Sequence, residues 1–378
     1  MVEKLLDFAR ASTEIVERDN YQYYWEAQGY KFNNLNLARW YEKEFNCWAT
    51  FVARQLPEFR KNLEDKTLDM NRNYDLECVQ QLKKDYDYIR LLFSGGYDSA
   101  AVFLTFVENG IFIDETVTRL YSSVENEINT EDLLPNITPL IDQYKTLVGK
   151  TTFKETSFEQ LHNLWSDEYV FFNSPNANPQ PLCIGEVPLN LEHYEYKANS
   201  CFIKCIDKPQ LVHYNNKWYV VALDSTFGSF IGLPNLIYFW LDARNVKGLL
   251  KHARLYREYL LNNVEITKSL QFFKFYAQEE LNYVIERPSI PNPGKKMGKR
   301  EKAHLQRTSM IDNNRYDIAN KYARCMETFH KIFPETLEGF NDYNNKGKFA
   351  WLIDIDSLEI FTQQELIPNG FDVNLSRL

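Results

Sequence analysis

Residues 89–102 read Ile-Arg-Leu-Leu-Phe-Ser-Gly-Gly-Tyr-Asp-Ser-Ala-Ala-Val, an apolar strand that runs into two glycines and then into a helix. Such a passage is suited to hold a phosphate. Gly95 and Gly96 can take backbone angles closed to other residues and let an anion approach the main chain. Ser94 and Ser99 add hydroxyls, and Asp98 is the carboxylate closest to whatever the loop holds. The helix expected over Ser99–Asn109 would point its unpaired N–H groups and the positive end of its dipole at that anion, with Gly110 as its stop. The alternative is a tight turn that happens to contain two glycines, although a turn has no need of Asp98 and Ser99 as well.

Two other glycine loops are excluded by spacing. The Walker form requires Gly-Lys-Ser/Thr and the dinucleotide form requires G-x-G-x-x-G, and neither occurs. Ser94-Gly95-Gly96-Tyr97-Asp98-Ser99 instead resembles the S-G-G-x-D-S loop of the PP-loop ATP pyrophosphatases. In that superfamily the loop holds the pyrophosphate end of ATP while a substrate attacks the α-phosphorus, giving an adenylated intermediate and pyrophosphate. The resemblance implies a Rossmann-like, HUP-type parallel sheet between helices, with ATP and Mg²⁺ as cofactors. It places Phe93, Ser94, Gly95, Gly96, Tyr97, Asp98, Ser99 and Tyr121 around the nucleotide, with Asp98 helping to hold Mg²⁺. Members usually bring a later lysine onto ATP, and Lys208, with Pro209 fixing the backbone beside it, is the candidate here; a solvated turn lysine is the other reading.

Fewer residues elsewhere could do chemistry. Asp224 is a second candidate carboxylate or a turn cap, and His252 sits on an amphipathic helix as a core partner or an acid–base group. Cys201 and Cys205 lie four apart without further zinc spacing and read as buried on one strand face together with Ile203. The C-x-x-C pairs of several tRNA-thiolating PP-loop enzymes are absent. Residue 2 is Val, so the N-terminal nucleophile of the glutaminase half of asparagine synthetases is missing. Nitrogen transfer would then need ammonia, an amine substrate or a separate subunit.

The elements that must position the loop follow from periodicity. Residues 1–85 carry few glycines and prolines and read as a helical cap, with Leu37, Tyr41, Phe45, Trp48, Phe51 and Val52 on one helical face. From residue 86 to about 265, short apolar strands alternate with helices: strands at Ile89–Phe93, Thr116–Ser122 and Lys150–Thr156, and helices at Ala100–Glu108 and from about 132 or 138 to 147. In such a sheet the loop and the Tyr121–Glu127 segment face one crevice, with adenine between them. Gln210–Tyr214 and Lys217–Asp224 form a hairpin around Asn215-Asn216. The Asp207-Lys208-Pro209 run before that hairpin, with Lys251-His252-Ala253-Arg254 later, is similar to phage-encoded PP-loop proteins labelled asparagine-synthase-like. Residues 266–378 read as mainly helical, with helices at about 269–284 and 314–332 and a strand at Phe349–Ile355.

Composition bounds the rest. A net charge of −9 with 25% charged residues argues against a general nucleic-acid binder. Six cysteines in 378 residues do not suggest a disulfide framework, and a reducing cytoplasm is the expected compartment. The longest apolar run, Phe230–Leu241, contains Pro234 and is too short to span a bilayer, so no membrane association is expected. Lys295, Lys296, Lys299, Arg300, Lys302 and Arg307 form a local basic run that reads as a solvated loop, a cover for the triphosphate or a weak nucleic-acid contact. The leading expectation is an enzyme that adenylates an unidentified acceptor. The alternatives are a nucleotide-binding module without turnover and a structural virion or host-interaction protein.

Overall fold

The computed structural model describes residues 1–19, 21–121, 134–156, 162–174, 197–205, 210–214, 217–224, 235–263, 274–275, 316–334, 349–362 and 365. The elements run in the order α1 (Val2–Arg18), β1 (Tyr23–Ala27), β2 (Tyr30–Phe32), α2 (Leu35–Phe45), β3 (Thr50–Ala53), α3 (Leu56–Asn62), α4 (Tyr74–Asp85), β4 (Tyr88–Leu92) and α5 (Tyr97–Val107). They continue with β5 (Ile113–Tyr121), α6 (Leu134–Gln143), β6 (Val148–Thr156), α7 (Val170–Asn173), β7 (Ser200–Lys204), β8 (Gln210–Tyr214), β9 (Lys217–Asp224) and β10 (Leu236–Tyr238). After them come α8 (Val246–Asn263), β11 (Lys274–Phe275), α9 (Tyr316–Ile332), β12 (Phe349–Asp354) and β13 (Ile360–Thr362).

A five-stranded, all-parallel sheet in the order β10-β7-β4-β5-β6 forms the centre of this α/β fold. Numbered along the chain, its strands run 3-2-1-4-5 across the sheet, so the order reverses between β4 and β7. Helices flank it. Ile89, Leu91, Cys201 and Ile203 are fully buried on β4 and β7. Residues 100–107 of α5 are buried all round, which the unbroken apolar run of that helix allows. Its C-terminus closes as the sequence requires: Gly110 takes φ +69°, and the Ile111 N–H reaches back to the Phe106 carbonyl at 2.9 Å.

Arg90 and Glu115 are buried side by side on β4 and β5, with side chains 2% and 5% exposed. The Arg90 guanidinium donates to Glu115 at 2.9 Å and to the Ser200 hydroxyl at 3.2 Å, while Thr152 donates to the other Glu115 oxygen at 2.5 Å. One polar network therefore crosses β7, β4, β5 and β6.

The N-terminal region departs from the expectation of an all-helical cap. Residues 23–53 carry a three-stranded antiparallel sheet, β2-β1-β3, against which α1 and α2 pack. The reason is the two-residue turn Gln28-Gly29, with φ +49° and +84°, which pairs Ala27 with Tyr30 and makes a hairpin of the aromatic run Tyr23-Tyr24-Trp25. Phe51 and Val52, read as a continuation of the α2 face, pair with β1 instead. Asn46, at φ 47°, ends α2 before it reaches them.

The expected hairpin forms as β8 and β9, joined in register from Gln210–Val221 to Tyr214–Lys217. It belongs to a second five-stranded sheet, β11-β8-β9-β12-β13, that combines it with strands from the C-terminal third. Of the C-terminal region expected to be mainly helical, the described residues include α9 together with β11, β12 and β13. The helix expected at 269–284 lies outside the described residues, apart from the two of β11. No described helix is long and apolar enough to cross a membrane.

Candidate functional site

The Ser94–Ser99 loop leaves β4 at the carboxyl edge of the sheet, at the point where the strand order reverses. In open α/β sheets this crevice is where ligands bind. The loop is anchored at its start. Phe93 donates its N–H to Val117 at 2.8 Å, and its carbonyl accepts from the buried Thr118 hydroxyl at 2.7 Å. Its ring lies in the core, stacked on Phe103 at 4.8 Å between centroids, so Phe93 positions the loop through its packing.

Gly95 has φ +67°, the left-handed region where a side chain is strained. A Cβ there would also lie 2.8 Å from Ile137 Cγ1 and 2.9 Å from Asn136 Cβ, in the first turn of α6. Gly96 does not use the freedom open to a glycine. It has φ −71° and ψ 160° and acts as the N-cap of α5, with no side-chain cap hydrogen bond. The helix consequently begins at Tyr97, two residues before Ser99, and Asp98 falls in its first turn. The first helical bond runs from the Ala100 N–H to the Gly96 carbonyl at 2.8 Å. The first turn of α5 thus presents its backbone N–H groups beside the positive end of the dipole.

The two serine hydroxyls tie the loop together. Ser99 donates to the Gly96 carbonyl at 3.0 Å, Ser94 and Ser99 Oγ atoms are 3.2 Å apart, and the Gly96 N–H meets Ser94 Oγ at 3.5 Å. Ser94 is exposed and Ser99 is buried. Asp98 is half-buried, and its charge reaches Cys205, the first residue after β7. Burial, and to a lesser degree Asp98, pushes the Cys205 thiol well above its ordinary pKa, so this sulfur is a neutral neighbour of the site. Contacts from α6 and Cys205 had no local signal in the sequence, because both arise from the order of strands.

Tyr121 ends β5, next to β4, on the same edge of the sheet as the loop; its side chain and that of Tyr97 lie outside the described ones. Lys208 lies outside the described residues, in the segment that follows Cys205 on the strand beside β4. The 122–133 segment and the basic run at 295–307 also lie outside them. Asp224 ends β9 in the second sheet, opposite Phe349. His252 is buried, with Nε2 3.0 Å from Asp75 and its ring edge-on to Trp240, which is the environment of a core partner. Cys201 and Cys205 are buried free thiols. Among the described residues no cluster of three or more His, Cys, Asp or Glu is placed to hold a metal by itself. Comparison with protein-family models, curated proteins and solved structures finds no match to this chain.

Proposed function

We propose that this chain binds ATP at the Ser94–Ser99 loop and catalyses adenylation of an acceptor with release of pyrophosphate, on a HUP-type variant of the parallel α/β fold. The observation that carries the reading is the uncapped N-terminus of α5 at the point of strand-order reversal, preceded by a glycine held at φ +67°. The backbone N–H groups that open α5, the positive end of its dipole and the exposed Ser94 hydroxyl lie where a pyrophosphate group would sit.

The chemistry needs electrostatic help more than a base. The acceptor's oxygen or nitrogen attacks the α-phosphorus, the bond from that phosphorus to the α–β bridging oxygen breaks, and pyrophosphate leaves with the electron pair. The loop's N–H groups and hydroxyls stabilise the charge that develops on it. Asp98, in the first turn of α5, is the carboxylate that would hold Mg²⁺ beside the phosphates. When bound, the ion neutralises phosphate charge. In this reading Lys208 adds a second cation from the segment after β7. Buried Cys205 keeps the neighbouring wall neutral.

Pyrophosphate release from MgATP, screened over carboxylates, amines and nucleic acids, tests the proposal. It is expected with one acceptor class and is expected to fall at least about tenfold in Asp98→Asn. ATP binding without release for any acceptor would reduce the chain to a nucleotide-binding module. No ATP binding would overturn the reading altogether.

A further inference from the structure

A cavity lies at the opposite end of β4 from the glycine loop. A half-open cleft of about 370 Å³ sits where α3, the α4–β4 junction and the segment around β10 meet. That volume is in the ~300–1,000 Å³ range of small-molecule sites. Tyr86, at the amino end of β4, lines it, whereas the glycine loop leaves the carboxyl end of the same strand, roughly 15 Å of strand away.

The hydrogen-bond inventory of the walls selects the ligand. Arg244 is the cation among the lining residues, and its charge is offset by two carboxylates: its Nη1 holds both Asp242 oxygens at 2.9 Å and its Nε holds Asp85 at 2.8 Å. Asp242 is fully buried and takes a further bond from Gln55 at 3.2 Å, and Asp85 takes one from Gln81 at 2.6 Å. These bonds fix the walls. What faces the space beyond them is acceptor-rich. Glu58 carries no described ion pair, and the amides of Gln81 and Asn62 each direct one N–H to the wall, to Asp85 and to the Ala243 carbonyl, while their oxygens have no described donor. Three lining carboxylates against one guanidinium leave the cleft negative. An anion would meet these carboxylates without a spare cation, and the apolar lining is confined to Leu236, Ile237 and Ala243 beside Tyr86. We propose that this cleft binds a small organic cation, an aliphatic amine or guanidine whose N–H groups are taken by Glu58, Gln81 and Asn62.

Calorimetry of the full chain at low salt with agmatine and with spermidine tests it, with inorganic phosphate as the anion probe. At least one cation is expected to bind with a dissociation constant below about 1 mM, weakening about tenfold in the surface variant Glu58→Gln. Gln81→Lys, which places a cation in the cleft, is expected to abolish binding, whereas Asp98→Asn at the glycine loop leaves it unchanged. Melting temperature checks that each variant folds. Absence of binding by both cations, equal binding in wild type, Glu58→Gln and Gln81→Lys, or loss in Asp98→Asn would overturn the proposal. Binding of phosphate at this cleft would do the same.

Discussion

Gly95 bears two separate constraints: a left-handed backbone and a first turn of α6 packed where a side chain would go. Gly95→Ala combines strain of about 1–2 kcal/mol with overpacking of about 1–3 kcal/mol, so a loss of roughly 2–5 kcal/mol is expected in urea unfolding. Gly96→Ala, at φ −71°, should cost under about 1 kcal/mol, and equal losses in the two variants would show that the left-handed angle carries no weight. Asp98 separates differently. In Asp98→Asn the enhancement of ATP affinity by Mg²⁺ should shrink to near one while metal-free affinity is retained, as read by paired titrations. The string Ser-Gly-Gly-Tyr-Asp-Ser made the strand–turn–helix passage legible. It could not say which glycine was constrained, because that depends on Ile137 and Asn136, some forty residues downstream and apposed only by the fold.

Strands β4 and β5 hold the loop in place, and the buried Arg90–Glu115 pair joins them. Burial works to raise the Glu115 pKa, but hydrogen bonds from Thr152 and Arg90 and the charges of Lys150 and Arg90 outweigh it and hold the carboxyl below its ordinary range. A folded pKa below the unfolded value of about 4.3 means this stabilisation is complete above that value and is lost as pH falls through the folded one. Acid unfolding of Glu115→Gln should therefore lose stability less steeply below about pH 5 than wild type, while its stability near neutral pH is lower. Arg90→Met leaves a buried carboxylate unpaired and should cost about 3–5 kcal/mol in denaturant unfolding, whereas a cost under about 1 kcal/mol would mean the pair is solvated. Strands β4, β5 and β6 were visible in the sequence to within a few residues, and β7 as the strand carrying Cys201 and Ile203, whereas β10, inside the apolar run 230–241, was not singled out. Tyr23–Trp25 and Phe51-Val52 were misread as helix because apolar residues at such close spacing satisfy either period, and the deciding signal was the two-residue turn at Gln28-Gly29.

Across the whole molecule, the second sheet ties the middle of the chain to its C-terminal third. Leu352 and Ile353 of β12 are fully buried and pair with Val221 and Val220 of β9. A chain ending at Phe333 would strip β9 of this partner, so its thermal unfolding should lose cooperativity and gain dye binding to exposed apolar surface. Retention of a single sharp transition would show that the two sheets fold independently. This joining was not legible locally, since the hairpin's alternation reveals its own pairing and nothing about the distant strand beside it. The central claim, that the molecule is organised around a nucleotide at the carboxyl edge of its parallel sheet, is tested most directly by amide hydrogen exchange with and without MgATP. The account predicts slowed exchange concentrated at residues 94–99 and the first turn of α5. Unchanged exchange there, at nucleotide concentrations that saturate binding by calorimetry, would contradict it.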